Sequence, residues 1–196
     1  MLSINLNEQN ILASAEEVFK RHGYQKSTIQ DVCKGAGLSK PTFYNYFKDK
    51  SELFSALVIH ISEQLVKDWQ NNLPDGLTPK ETLSAFVDFY TDEVVTNPLF
   101  HAIFEDAEAM HQFSSALMQN PQSPIFNELK QIIDDGIASM QFRPHDSKAS
   151  VWLIYSLLDS IFLLLPLMMR QPVGEHGIAT VQEVKDFILK GVGNIE

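Results

Sequence analysis

Residues 27–50 read STIQDVCKGAGLSKPTFYNYFKDK, and the reading of this stretch decides the fold. Ser27 or Thr28 can cap a short helix whose inward positions are Ile29, Val32 and Cys33. Gly35-Ala36-Gly37-Leu38 is too short and glycine-rich for anything but a tight turn. Ser39 can cap the next helix, and Pro41 falls near its first turn, where a missing N–H costs little. Phe43 and Phe47 anchor that helix inward, which leaves Ser39, Lys40, Thr42, Asn45 and Tyr46 as outward candidates. Upstream, Ile11, Ala15, Val18, Phe19 and His22 share one helical face, closed by Gly23. Two short helices joined by a glycine turn and packed on a preceding helix describe a helix-turn-helix. Lys and Asn can donate to base edges or phosphates, the Thr methyl can meet a thymine methyl, and hydroxyls can hold phosphate. For Tyr46, capping the core is the alternative to touching DNA.

Charge supports this placement only when it is divided. The 196-residue chain has a formal net charge of −10. Residues 1–50 carry seven Lys and Arg against five acids, and from Lys20 to Lys48 only Asp31 is acidic. The acidic excess therefore lies wholly in residues 51–196, and a basic segment on an acidic protein is what a local phosphate-binding surface needs. A solvated basic face would have the same charge. The single Cys33 forbids an internal disulfide and suits a reducing cytoplasm. The start MLSINLNEQN has no secretory character.

Outward from this segment the apolar period stays helical, so the expectation is an all-α chain of about nine helices. Asp49 or Ser51 begins a long helix with Leu53, Phe54, Leu57, Ile61 and Leu65 inward. Thr78-Pro79-Lys80-Glu81 is a capping box ahead of Leu83, Phe86, Val87, Tyr90 and Val94. Asn97-Pro98 and Ser123-Pro124 each start a helix, Asp146 caps one that runs to Met169, and a last one carries Val181, Val184, Ile188, Val192 and Ile195.

Ile11-Leu12-Ala13-Ser14-Ala15, Phe19, Gly23-Tyr24, Ser27-Thr28-Ile29, Ala36-Gly37-Leu38-Ser39-Lys40, Thr42 through Lys50, and Leu53 together resemble the N-terminal domain of TetR-type bacterial transcriptional regulators. The resemblance covers roughly residues 5–65. It departs from the usual pattern at Pro41, often Gly, and at Cys33, commonly Ala. The resemblance implies that Thr28, Tyr44 and Lys50 hold phosphates and that Ser39 to Tyr46, Pro41 included, lie in the major groove. It implies a three-helix DNA-binding head over residues 1–50 and a C-terminal helical domain over 51–196 that binds a small molecule and dimerises through its last two helices. The implied partners are double-stranded DNA with a palindromic operator, a second copy of the chain and an unidentified small-molecule effector, with no cofactor.

Helix 146–169 is apolar on almost every side, so it must be buried all round, which in a small protein takes a second subunit. Trp152, Tyr155 and Leu163, with Val184 and Ile188 of the last helix, are the expected interface. A membrane span is the rival reading, opposed by Asp159, Pro166 and three serines within the segment. For the effector, Phe86, Tyr90, Phe104, Trp152 and Tyr155 supply rings, with His101, Glu105 and Asp159 as polar groups. Asp159 either bonds a neighbouring serine or helix, or reads a cationic or hydrogen-bonding ligand. His101, Glu105, Glu108 and His111 recur at helical spacing, a loose metal set that reads more simply as a polar face, so no metal is expected. No nucleophile elbow, Walker loop or dinucleotide fingerprint occurs, so an enzyme has no chemistry to stand on.

Overall fold

The computed structural model describes residues 6–118, 123–169 and 175–193, with side chains described except at 117–118 and 159–180. Ten helices lie among the described residues, and the only bridge outside them pairs Phe142 with Gly193. The class is all-α, as expected. Packing divides the chain into two compact units, Met1–Gln64 with Asn97–Ser123, and Leu65–Thr96 with Pro124–Glu196.

The first unit holds α1 (Leu6–Lys26), α2 (Ile29–Ala36), α3 (Lys40–Tyr44), the first part of α4 (Lys50–Asn72), α6 (Pro98–Phe104) and α7 (Ala107–Met118). Gly23 breaks α1 as expected, at φ +71° and ψ 168°, but a further turn follows to Lys26. Ile11, Leu12, Ala15 and Phe19 bury the inner face of α1. Val32 and Cys33 of α2, Phe43 and Phe47, and Leu53, Phe54 and Leu57 of α4 are buried in the same unit. Phe19, Tyr24 and Phe54 form an aromatic triangle with centroids 4.8–5.6 Å apart. Each such ring contributes roughly 1.5–3 kcal/mol by leaving water.

Two expectations need correction here. Gly35 and Ala36 still belong to α2, and only Gly37 leaves it, so the turn is shorter than the glycine-rich run suggests. Gly35 serves a close approach instead, because a Cβ there would overlap the Ser14 hydroxyl, which bonds the Val32 carbonyl at 2.8 Å. The helix begun at Asn97-Pro98 also stops at Phe104, and α7 restarts after Asp106, where the helical spacing of His101, Glu105, Glu108 and His111 suggested one continuous helix. Asp106 Oδ1 accepts from the N–H groups of Glu108 and Ala109 and so caps α7. That break puts His101 on a different helix from Glu108 and His111. Among the described residues no three of His, Cys, Asp and Glu are placed to hold a metal ion.

The second unit holds the remainder of α4, α5 (Pro79–Thr96), α8 (Pro124–Ala138), α9 (Ser147–Met169) and α10 (Glu175–Val192). Thr78 and Glu81 form the expected capping box of α5, and Asp146 Oδ1 caps α9 at the Ala149 N–H. Leu83, Phe86, Val87, Tyr90 and Val94 are buried along α5, and Ile125, Leu129, Ile132 and Ile133 along α8. The Phe142 ring lies so close over Gly136 that no Cβ would fit. Among the described residues no helix is long and apolar enough to cross a membrane.

Candidate nucleic-acid interface

The interface is built from three successive helix junctions. At the first, Thr28 sits in extended backbone and its hydroxyl accepts from the Asp31 N–H, while Asp31 Oδ2 accepts from the Thr28 N–H at 3.1 Å and its hydroxyl at 2.6 Å. This capping box satisfies two orphan donors of α2 reciprocally. The Thr28 hydroxyl and N–H hold the Asp31 carboxyl below its usual range. At the second, Gly37 (φ +66°, ψ 29°) ends α2 in the left-handed conformation, with its N–H directed to the Cys33 and Lys34 carbonyls. Ser39 then caps α3, its Oγ accepting from the Thr42 N–H at 3.3 Å and lying 2.8 Å from the Thr42 hydroxyl. At the third, Asp49 Oδ1 accepts from the Glu52 N–H at 2.8 Å and starts α4.

These caps fix α3 with one face inward and one outward. Phe43 and Phe47 are buried, their centroids 5.8 Å apart. Lys40, Pro41 and Asn45 are exposed, Thr42 is half-buried, and Tyr44 is 53% exposed with its ring edge-on to Phe43. The outer face therefore presents an ammonium, a phenol and a hydroxyl on a one-and-a-half-turn helix, with the Asn45 amide at its C-cap, the donor types that base edges and phosphates accept. Burial pushes the Cys33 thiol up, with Lys40 pulling weakly against it, which suits a small apolar packing residue.

Two candidates have partners that the sequence did not reveal. Tyr46 is half-buried and its hydroxyl accepts from the Asn7 amide at 3.2 Å. The Lys50 ammonium donates to the carbonyls of Tyr24, Ser27 and Gln25 at 2.8, 3.2 and 3.5 Å and lies 4.2 Å from the Tyr24 ring centroid. Lys50 thereby closes the end of α1 onto the start of α4. The pairing spans 26 residues, and a lysine beside the helix-turn-helix gives no local signal of it.

The effector candidates divide between the units. In the second, Tyr155 lies 5.3 Å from Tyr90 and stacks on Phe126 at 4.7 Å, while Trp152 lies 5.0 Å from Phe126. Phe86 meets Trp69 edge-on at 5.6 Å, and the Trp69 indole N–H donates to Glu128. Phe104 belongs to the first unit, beside Phe100 and Phe113, and His101 and Glu105 are exposed there. Asp159 and Leu163 are on α9, but their side chains lie outside the described residues. Of the expected interface, Tyr155 and Ile188 are buried within the chain, and Trp152 and Val184 are half-buried. Among the described side chains of α9 and α10, the large apolar ones left exposed are Leu153 and Phe187, each 65% exposed. The regular stripe of α10 drew attention to its inner face, whereas an aromatic off that stripe is the signal for the outer one.

Residues 11–57 match the family of bacterial regulatory proteins described as the tetR family. The HTH-type transcriptional regulator YhgD of Bacillus subtilis, itself of uncharacterised role, is 25% identical over 186 residues, covering 93% of this chain and 94% of that one. The crystal structure of FadR from Bacillus subtilis in complex with stearoyl-CoA superposes with a TM-score of 0.67 at 20% identity, over 94% of this chain and 98% of that one. RolR in complex with resorcinol superposes at 0.73 and 16% identity, over 95% and 87%. Both structures share the fold.

Proposed function

We propose that this chain, a DNA-binding transcriptional regulator of the TetR type, binds an inverted-repeat operator as a homodimer and is released by an apolar small molecule. The observation that carries the reading is α3: capped by Ser39, anchored by Phe43 and Phe47, it turns Lys40, Tyr44 and Asn45 outward. In this reading residues 1–50 contact DNA, where Ser39 to Asn45 face the major groove and Thr28 and Tyr44 meet phosphates, and residues 51–196 serve the effector and the dimer. It acts in the cytoplasm, where bacterial DNA lies.

The dimer is supported by Leu153 and Phe187, since large apolar side chains left in water are commonly covered by a partner. Two copies related by a two-fold axis present two α3 helices to mirrored half-sites. The effector is supported by the ring stack of Tyr90, Tyr155, Phe126 and Trp152, a surface suited to an acyl chain or an aromatic ring. Relatives of the same fold hold stearoyl-CoA and resorcinol in their crystals.

The test begins by selecting duplexes from a random pool with the purified protein. An inverted repeat should be enriched. Stearoyl-CoA and resorcinol are then titrated into the complex, and an apolar effector site should show release by one at micromolar concentration. Recovery of no preferred duplex at low salt rejects the operator, and release by neither compound class rejects the proposed ligand chemistry.

A further inference from the structure

We propose that Asp106 is a positioning residue for DNA binding, acting from outside the helix-turn-helix through the backbone N–H of Gln25. The inference rests on the reading of α3 as the DNA-contacting helix.

The chain creates a local problem at the end of α1. Gly23, at φ +71° and ψ 168°, interrupts the helical ladder, so the amides just beyond it begin a new turn without a carbonyl behind them. The Gln25 N–H finds its acceptor 81 residues away, at Asp106 Oδ2, 2.9 Å distant. The other oxygen of that carboxylate, Oδ1, accepts from Glu108 at 3.0 Å and Ala109 at 3.1 Å as the cap of α7. The cap needs one oxygen only. The second is spent wholly on the DNA-binding head.

Gln25 is clamped at both ends, because its carbonyl and those of Tyr24 and Ser27 receive the Lys50 ammonium. Ser27 completes the corner, its hydroxyl donating to the Gly23 carbonyl at 2.5 Å. Thr28 follows directly as the cap of α2, and three residues after α2 the third helix begins. The direction in which α2 leaves this corner therefore sets where α3 presents Lys40 and Asn45. A second tie from the same region, Ser51 Oγ to Gln112 Oε1 at 2.8 Å, joins α4 to α7. All these groups lie in one compact unit, which joins α6 and α7 to the helices of the head. The α6–α7 corner thus supplies part of the frame for the helix-turn-helix.

Asp106→Asn separates the two duties of this side chain. An asparagine remains a good helix cap, since its one carbonyl oxygen can still serve Glu108 and Ala109. Its amide then faces the Gln25 N–H with a donor, where an acceptor is needed. In the full-length variant the melting temperature should stay near that of the wild type. Amide exchange at Gln25 should accelerate, and affinity for a duplex selected by the wild type should fall about tenfold, the value of one strong hydrogen bond. Sequence preference should be unchanged, because the reading side chains are untouched. Wild-type affinity in Asp106→Asn overturns the inference, and so does an affinity loss that follows a loss of folded protein. If the wild type itself selects no duplex, the DNA reading falls with it, whereas Gln25 exchange still reports on the contact. If the wild type binds and the variant binds equally, the inference alone is removed.

Discussion

The helix-turn-helix and the second compact unit use polar side chains in opposite ways. Between Thr28 and Glu52 the helix starts are set by side chains bonded three residues away, Thr28 with Asp31, Ser39 with Thr42 and Asp49 with Glu52, while Tyr46, Lys50 and Ser51 tie the segment to distant parts of its own unit. Each cap fixes where a helix starts, so a surface for DNA follows from local chemistry with only a few buried rings behind it. In the second unit the polar contacts between helices are long-range, as with Trp69 to Glu128 and Lys185 to Asp88, and the interior is rings and aliphatic chains. The helix starts of a surface that reads DNA are specified by neighbours in sequence and its orientation by a few distant ties, whereas a surface that accepts an apolar ligand or a second subunit depends on which helices meet.

The largest expected effect tests whether the head rests on its anchors. Phe43 is fully buried, and Phe43→Ala should cost about 3–5 kcal/mol and abolish DNA binding, as chemical denaturation and duplex titration would reveal. A variant of near wild-type stability would mean that α3 is held by its caps alone. Leu153→Glu with Phe187→Glu is the counterpart in the second unit. Sedimentation should show folded monomers, and operator affinity should collapse because a single head has half the contacts. A double variant that remains dimeric moves the interface off these two side chains.

Smaller effects sharpen the assignment within the head. Lys40→Ala and Asn45→Ala should each alter sequence preference by about 1–3 kcal/mol at a contacted base without changing the melting temperature. Lys50→Ala should behave differently. Its ammonium is committed to three backbone carbonyls, so the variant should melt lower and bind all duplexes less well, with the salt slope unchanged. A slope lowered by about one unit would restore Lys50 to the phosphate contacts that the family resemblance implies.

How legible each part was follows the same division. Gly37, Ser39, Pro41 and Phe43 could be assigned from sequence because their roles depend on residues within one turn. The Asp106–Gln25 and Lys50–Tyr24 contacts could not, since they join positions 81 and 26 residues apart and no periodicity links them. The break between α6 and α7 had a readable signal in Asp106-Ala107-Glu108, an acidic cap before an acidic first turn, which the apparent helical spacing of His101, Glu105 and Glu108 obscured. In α9 the apolar residues run round the whole helix, so the pattern marked burial but not which face the chain itself covers. Leu153 emerges as exposed only once Val151, Ile154 and Leu158 are seen packed inward.

The smallest effect compares the two capping boxes. Asp31 is held below the usual carboxylate range by the Thr28 hydroxyl and then its N–H, and Glu81 by the Thr78 N–H and then its hydroxyl. A depressed carboxyl pKa stabilises the fold above the ordinary carboxylate range, near pH 4, and the contribution is lost as pH falls through the folded value. Thr28→Ala and Thr78→Ala should each flatten the acid side of the stability profile slightly. An unchanged profile in both would show that these boxes hold local geometry without contributing to acid sensitivity.

The central claim, that the outer face of α3 reads base sequence, is tested most directly by parallel selection from one random duplex pool with the wild type and with Asn45→Ala. The account predicts that both proteins enrich an inverted repeat, and that the variant loses its preference at one symmetric pair of positions while keeping the half-site spacing. An unchanged preference at every position, or no inverted repeat from the wild type, would contradict it.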